Sequence, residues 1–137
     1  MIIGLFPGQG SQTPGFLSPW LELDGVAARL DELSEAAQVD LAAAGTEWDA
    51  DAIRDTKVAQ PLIVAASLIS WHALVARAAG LPAGVAGHSV GEVAALAASG
   101  VIDDVSALRL VGVRGRAMAD AAAQAETGMS AVLGGDE

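Results

Sequence analysis

The stretch Gly87-His88-Ser89-Val90-Gly91 limits the fold of this chain more than any other part of the sequence. A short apolar run comes before it, and an alanine-rich stretch with helical character comes after it. Glycines on both sides of a serine let a strand and a helix pack closely around a sharp turn, because glycine has no side chain. The sequence therefore predicts a strand, a nucleophile elbow and a helix, in that order.

Ser89 is the candidate nucleophile of this turn. A strained turn between a strand and a helix exposes the serine hydroxyl, and the first N–H groups of the helix face the group that the serine attacks. The same residues also fit a glycine-rich turn in which Ser89 only caps the helix and carries out no chemistry. Both interpretations predict the same local fold.

A second glycine-containing loop follows the predicted first strand. Residues 2–6 are apolar and predict a short buried strand, and Pro7-Gly8-Gln9-Gly10-Ser11-Gln12 comes directly after it. Loops beyond the carboxyl ends of the strands hold the sites of open α/β sheets. A dinucleotide-binding loop is disfavoured, because the third glycine and the distant acidic residue do not have the required spacing. Outward-facing N–H groups in this loop suit an oxyanion better.

Helices are predicted between the two strands. Apolar spacing indicates an amphipathic helix over residues 24–39 with Asp24 as its N-cap. A short helical turn is expected within residues 41–56, and a long apolar helix over residues 61–79 with a proline in its first turn. A helix that is apolar nearly all round is expected to be buried inside a layered domain.

A further helix and a further strand are predicted after the elbow. Asp103 or Asp104 is expected to cap a helix that ends near Ala123, and residues 128–134 are expected to form a strand. Strands that alternate with helices predict an α/β fold, with a parallel sheet covered by helices on both faces.

Arg114 is the most unusual charged residue of that last helix. On a helical wheel it lies on an apolar stripe formed by Ala107, Leu110, Val111, Met118 and Ala121. Burial of an unpaired charge costs several kcal/mol, so a guanidinium on this stripe needs an anion or a group of carbonyls. The alternatives are a side chain that extends to solvent and a structural pair with a carboxylate.

Composition disfavours several other kinds of site. The chain has 137 residues, a net charge of −10 and seven basic residues, so we expect no nucleic-acid partner. It contains no cysteine, which excludes a disulfide framework, a thiolate nucleophile and a thiolate metal site.

No strongly apolar stretch is expected to span a membrane, and the N-terminus lacks the basic segment of a signal peptide. A cytoplasmic location is expected for this one domain or piece of a domain.

Four ordered motifs resemble those of malonyl-CoA:acyl carrier protein transacylases and of related acyltransferase domains in polyketide and fatty-acid synthases. The motifs are Phe6-Pro7-Gly8-Gln9-Gly10-Ser11-Gln12, Ala59-Gln60-Pro61, Gly87-His88-Ser89-Val90-Gly91-Glu92 and Arg114-Gly115-x-x-Met118. The stretch at 128–134 also resembles a strand of that family, so the resemblance covers the whole chain. A glycine–glutamine loop close to Met1 resembles the free-standing bacterial enzymes.

The resemblance implies a role for each matching residue. Ser89 would take malonyl from coenzyme A as an ester, and the N–H groups of Gln9 and Val90 would form the oxyanion hole. Arg114 would hold the malonyl carboxylate, with Gln60 lining the acyl pocket.

The resemblance further implies that His88 would border the substrate as part of the elbow without acting as the base.

The resemblance also implies the substrates and the partner protein. The second half of the ping-pong reaction would place malonyl on the phosphopantetheine thiol of acyl carrier protein, a step of fatty-acid biosynthesis. The coenzyme A thioester is a substrate, and no metal or redox cofactor is implied.

The chain departs from the family at the catalytic histidine, which in the family follows a small ferredoxin-like subdomain downstream of the serine. The two histidines of this sequence are His72, expected to be structural, and His88. We therefore expect residues 1–137 to be the N-terminal part of an α/β-hydrolase-like acyltransferase core, with residues 128–137 starting the subdomain. Residues 1–137 alone are expected to be inactive, with the missing C-terminal part of the same enzyme as a partner.

Two other functions remain open at this point. A serine hydrolase of the patatin or esterase type shares the elbow, but would need acid–base residues further along the chain, and none is present in the expected context. The second possible function is binding only, by a piece of protein that is catalytically incomplete. A thioester turnover assay separates these functions from transacylation.

Overall fold

The computed structural model describes residues 1–78, 80, 82–124 and 134, which form two strands, five α-helices and two short 3₁₀ turns. In chain order the elements are β1 (Ile3–Phe6), a 3₁₀ turn (Ser18–Glu22), α1 (Val26–Ala37), α2 (Leu41–Thr46), a 3₁₀ turn (Ala52–Arg54), α3 (Thr56–Arg77), β2 (Gly84–Gly87), α4 (Gly91–Ala98) and α5 (Asp104–Ala122).

The two strands form a parallel sheet, as the sequence predicts. Ile3 pairs with Gly84 at one end of the ladder, and Phe6 pairs with Gly87 at the other. Parallel pairing places the carboxyl ends of β1 and β2 side by side. The loop over residues 7–12 and the turn at Ser89 therefore leave the sheet at the same edge, where α/β folds place their sites.

Helix α3 lies in the middle of the hydrophobic core. Nearly all of its side chains between Val58 and Ile69 are buried. Helix α5 packs closely against its neighbours because glycines face them: a Cβ on Gly112 would lie 2.5 Å from the carbonyl oxygen of Ala37, and one on Gly115 would lie 3.0 Å from that of Thr56. The close packing fixes α5 against both α1 and α3.

Within the described residues, α3 is the one helix that is long and apolar enough to cross a membrane by length and composition. Its most apolar window has a mean hydropathy of 1.6, and 61% of that window is buried inside the protein. A buried core helix meets the same test, because it too is apolar nearly all round.

The boundaries of α3 differ from the prediction. The helix begins at Thr56 instead of Pro61, because the side chain of Asp55 accepts a hydrogen bond from the N–H of Lys57 and caps it. Pro61 lies inside the helix, where it lacks the N–H that would bond the carbonyl of Lys57. The helix therefore starts five residues before the predicted boundary.

The predicted cap of α5 is confirmed, and the predicted cap of α1 is wrong. Asp24 does not cap α1, because Gly25 occupies the cap with φ of 82° and no side chain bonds the helix start. Asp103 does cap α5, and its Oδ1 accepts a hydrogen bond from the N–H of Ser106 at 2.8 Å. The strand predicted at 128–134 lies, apart from Gly134, outside the described residues.

Candidate active site

Ser89 lies at the apex of the turn between β2 and α4, in left-handed backbone conformation with φ of 52°. This conformation costs a residue with a Cβ on the order of 1–2 kcal/mol relative to ordinary helical backbone. The Ser89 hydroxyl makes no capping bond to α4, whose start carries no side-chain cap. The strained turn therefore fits a nucleophile elbow and argues against a serine that only caps a helix.

The glycines around Ser89 are required by the close approach of three backbone segments. A Cβ on Gly87 would lie 2.1 Å from the carbonyl oxygen of Gly91, and a Cβ on Gly91 would lie 2.4 Å from the carbonyl oxygen of Phe6. Both distances are far below van der Waals contact with rigid backbone atoms. The backbone of the elbow therefore packs directly against the end of β1 and against the start of α4.

We expect Gly87→Ala to lower the free energy of unfolding by at least about 3 kcal/mol, because the new methyl group collides with backbone that cannot move aside. Gly84→Ala on the same strand is the control. Its Cβ would lie at an ordinary 3.5 Å from Cδ1 of Ile3, so its effect should stay within about 1 kcal/mol. Urea unfolding of both variants measures the difference, and equal effects would contradict the close approach.

The loop over residues 7–12 lies directly beside the elbow. A Cβ on Gly8 would lie 2.6 Å from Nδ1 of His88, and the backbone N–H of His88 donates to the carbonyl oxygen of Phe6 at 3.1 Å. His88 thus packs on the loop, and among the described residues its ring makes no hydrogen bond to Ser89. This position agrees with a residue of the elbow that is not the base.

The side chains of the loop anchor it to the start of α3. Nε2 of Gln9 lies 3.3 Å from Oγ1 of Thr56, to which it donates a hydrogen bond. Nε2 of Gln12 donates to the carbonyl oxygen of Ile53 at 3.2 Å. The main-chain N–H of Gln9 donates to no other described residue, and neither does that of Val90. Both N–H groups therefore stay available for an oxyanion at this edge of the sheet.

The side chains of Arg114, Gln60 and Ser89 meet. Nη1 of Arg114 donates to Oε1 of Gln60 at 2.5 Å, and Nη2 donates to Oγ of Ser89 at 3.3 Å. Gln60 is 1% exposed, so the guanidinium is held by a buried amide. Arg114 forms no salt bridge within the part of the chain that the structure describes. The hydrogen-bond partners of Arg114 are a neutral amide and a neutral hydroxyl. Its positive charge is therefore not neutralised by them and can attract an anion.

The Ser89 hydroxyl accepts a hydrogen bond from Arg114 and, across the described ranges, makes none to an imidazole or a carboxylate.

His72 lies in a separate cluster of charged side chains. Nε2 of His72 bonds Oδ2 of Asp104 at 2.8 Å, and Arg29 bonds the same oxygen at 2.6 Å. Burial lowers the pKa of Arg29, but hydrogen bonds to Asp104 and Glu32 outweigh burial and raise it overall. His72 therefore belongs to a cluster that joins three helices, as expected for a structural histidine.

The arrangement brings together a strained serine, an arginine and a buried amide. Such a set can form an ester with an acyl group that carries a carboxylate. In the described residues, no three side chains of the metal-ligating types cluster. The sequence analysis names Ser89, Gln60 and Arg114 but misses Thr56, whose hydroxyl accepts a hydrogen bond from the loop. Asp55 could have indicated it, because a capping aspartate at 55 starts α3 at Thr56.

The fold and the site define an α/β protein with a serine nucleophile elbow that faces an arginine. The chain belongs to the acyl transferase domain family, whose model matches residues 4–135.

Similar proteins agree on the same family. The chain is 55% identical to malonyl CoA-acyl carrier protein transacylase of Mycobacterium tuberculosis, over 100% of this chain and 46% of the relative. It is 37% identical to the protein of that name from Escherichia coli, over 97% of this chain and 43% of the relative. The chain thus spans less than half the length of these relatives.

Solved structures extend the similarity to three dimensions. A crystal structure of MCAT from Mycobacterium tuberculosis superimposes with a TM-score of 0.94 at 55% identity, covering 99% of this chain and 46% of the other. A malonyl-transacylase in complex with a type II PKS acyl-carrier protein gives a TM-score of 0.79 at 36% identity, covering 87% and 39%. The α/β acyltransferase core is thereby confirmed.

Proposed function

We propose that this chain carries the nucleophile and the acyl-binding side chains of a malonyl-CoA:acyl carrier protein transacylase. The observation that carries the proposal is the contact of Arg114 with both Gln60 and Ser89. An arginine with neutral partners beside a nucleophile favours acyl groups that end in a carboxylate, because a guanidinium matches a carboxylate with two parallel hydrogen bonds. Malonyl is the shortest common acyl group of this kind.

In the first half-reaction, Oγ of Ser89 attacks the thioester carbonyl of malonyl-CoA. The C–O bond forms, the C–S bond breaks, and the serine proton ends on the departing coenzyme A thiol. The main-chain N–H groups of Gln9 and Val90 would stabilise the oxyanion of the tetrahedral intermediate. Arg114 would exchange its hydrogen bond to the serine for one to the malonyl carboxylate, which leaves the hydroxyl free to react.

In the second half-reaction, the phosphopantetheine thiol of acyl carrier protein attacks the Ser89 ester and regenerates the hydroxyl. The support for this partner is the malonyl-transacylase structure in complex with an acyl-carrier protein. Fatty-acid biosynthesis in the cytoplasm is part of the same proposal, and coenzyme A thioester enters as substrate with no metal or redox cofactor required. The inactivity of residues 1–137 alone, without the C-terminal part as partner, remains a prediction.

Intact-mass spectrometry, followed by peptide mapping of a proteolytic digest, tests the proposal on the full-length protein. After incubation with malonyl-CoA, we expect the mass of one malonyl group on the peptide that contains Ser89, and its transfer when carrier protein with its phosphopantetheine arm is added. Release of free malonate without transfer would indicate a hydrolase. A protein that is never acylated would favour a role in binding only.

A further inference from the structure

Met118 contacts the site through the amide of Gln60, a connection that the proposed reaction does not use. Met118 follows Arg114 by four residues on α5, so the two side chains lie on the same face of the helix. Nε2 of Gln60 donates to Sδ of Met118 at 3.2 Å, while Oε1 of the same amide accepts from Arg114. The amide therefore bridges two residues of one helix.

The two bonds together define which way the Gln60 amide faces. The NH₂ group of Gln60 faces the sulfur of Met118, and its carbonyl oxygen faces the guanidinium of Arg114. This arrangement is favourable because each donor faces an acceptor. A flipped amide would point its NH₂ group at the N–H groups of Arg114, and two donors would then face each other. Because Gln60 is 1% exposed, water cannot easily replace a lost partner, and an unsatisfied buried amide is costly.

We propose that Met118 is a positioning residue for acyl selectivity, whose thioether holds the Gln60 amide so that its carbonyl orients Arg114 toward the acyl carboxylate. This inference rests on the proposed function. Leucine at position 118 would keep a similar apolar volume but could accept no hydrogen bond. Arg114 would then retain its charge and lose part of its orientation.

The test compares Met118→Leu with the reverse exchange, Leu110→Met, on the same helix. The two positions are similarly exposed, at 45% and 48%, so neither exchange should prevent folding. We expect Met118→Leu to lower the ratio of kcat/KM for malonyl-CoA to that for acetyl-CoA about fivefold, in line with the loss of one hydrogen bond. Leu110→Met should leave the ratio unchanged. An unchanged ratio in Met118→Leu would overturn the inference.

A double-mutant cycle shows whether Met118 acts through Gln60. In a Gln60→Ala background, Met118→Leu should produce no further change in the selectivity ratio, because the amide it acts on is absent. A further fivefold fall there would mean that Met118 contacts the substrate directly, and the inference would be wrong.

Nuclear magnetic resonance provides a readout that needs no activity. The side-chain NH₂ signals of Gln60 should shift in Met118→Leu and stay unchanged in Leu110→Met. Unchanged signals in both variants would overturn the inference even for a protein that transfers malonyl. Failure of the proposed function looks different: the wild-type protein would not be acylated by malonyl-CoA, whatever residue occupies position 118.

Discussion

Arg114→Ala is expected to lower kcat/KM for malonyl-CoA by about 30-fold to several-thousandfold, which corresponds to the roughly 2–5 kcal/mol lost when one partner of a buried charge pair is removed. The partners of Arg114 in the free site are the neutral groups of Gln60 and Ser89, so the acyl carboxylate is the charge it would compensate. Acetyl-CoA has no carboxylate, and its turnover should hold steady or rise. Steady-state kinetics with both substrates measure this selectivity.

Arg109→Ala is the matched control, because it removes an exposed arginine from the same helix. It should change neither substrate appreciably. Arg114→Lys should recover only part of the malonyl activity, since an ammonium is a point charge and cannot form two parallel bonds. If Arg114→Ala lowered malonyl and acetyl turnover equally, the arginine would be structural and the assignment of the acyl pocket would fail.

Ser89→Ala is expected to abolish the covalent malonyl adduct and to lower kcat by a factor of up to about 10⁶, the loss seen when a serine protease loses its nucleophile. Binding of malonyl-CoA should persist or tighten, because Arg114 no longer donates a hydrogen bond to the hydroxyl and is free for the carboxylate. Intact-mass spectrometry and isothermal titration calorimetry measure the two effects separately.

Ser99→Ala serves as the control for this experiment, because Ser99 is an exposed serine at the end of α4 whose hydroxyl bonds the carbonyl oxygen of Leu96. The control variant should be acylated as fast as the unmodified protein. An adduct that survives in Ser89→Ala, or one found on another peptide, would assign the nucleophile elsewhere.

Local patterns predicted the elements that form the site. The alternation of glycine and serine around Ser89, and the apolar run before it, predict the strand, the turn and the helix because each depends on neighbouring residues. Parallel pairing of β1 with β2 followed from the helices between them. Helical period places Arg114 on a stripe that the structure buries only in part: Ala107 and Val111 are buried, but Leu110 and Met118 are 48% and 45% exposed. The wheel shows side-chain direction but not which neighbouring helix covers it, and here the arginine lies beside the serine.

Contacts between distant residues could not be predicted in the same way. Gln9 and Thr56 are 47 positions apart, and Gln60 and Met118 are 58 positions apart, so nothing local indicates that their side chains meet. The first of these contacts was also hidden by the error at the start of α3. The sequence predicts Pro61 in the first turn of the helix, whereas the capping carboxylate of Asp55 sets the boundary five residues earlier.

The left-handed backbone at Ser89 separates what the fold requires at this position from what the reaction requires. Glycine adopts this conformation without strain, so Ser89→Gly would relieve the turn while removing the reactive group. Requirements of folding alone would therefore favour glycine at position 89. The serine keeps a backbone strain that the fold does not need, so its hydroxyl, and not its backbone, accounts for its presence in the turn.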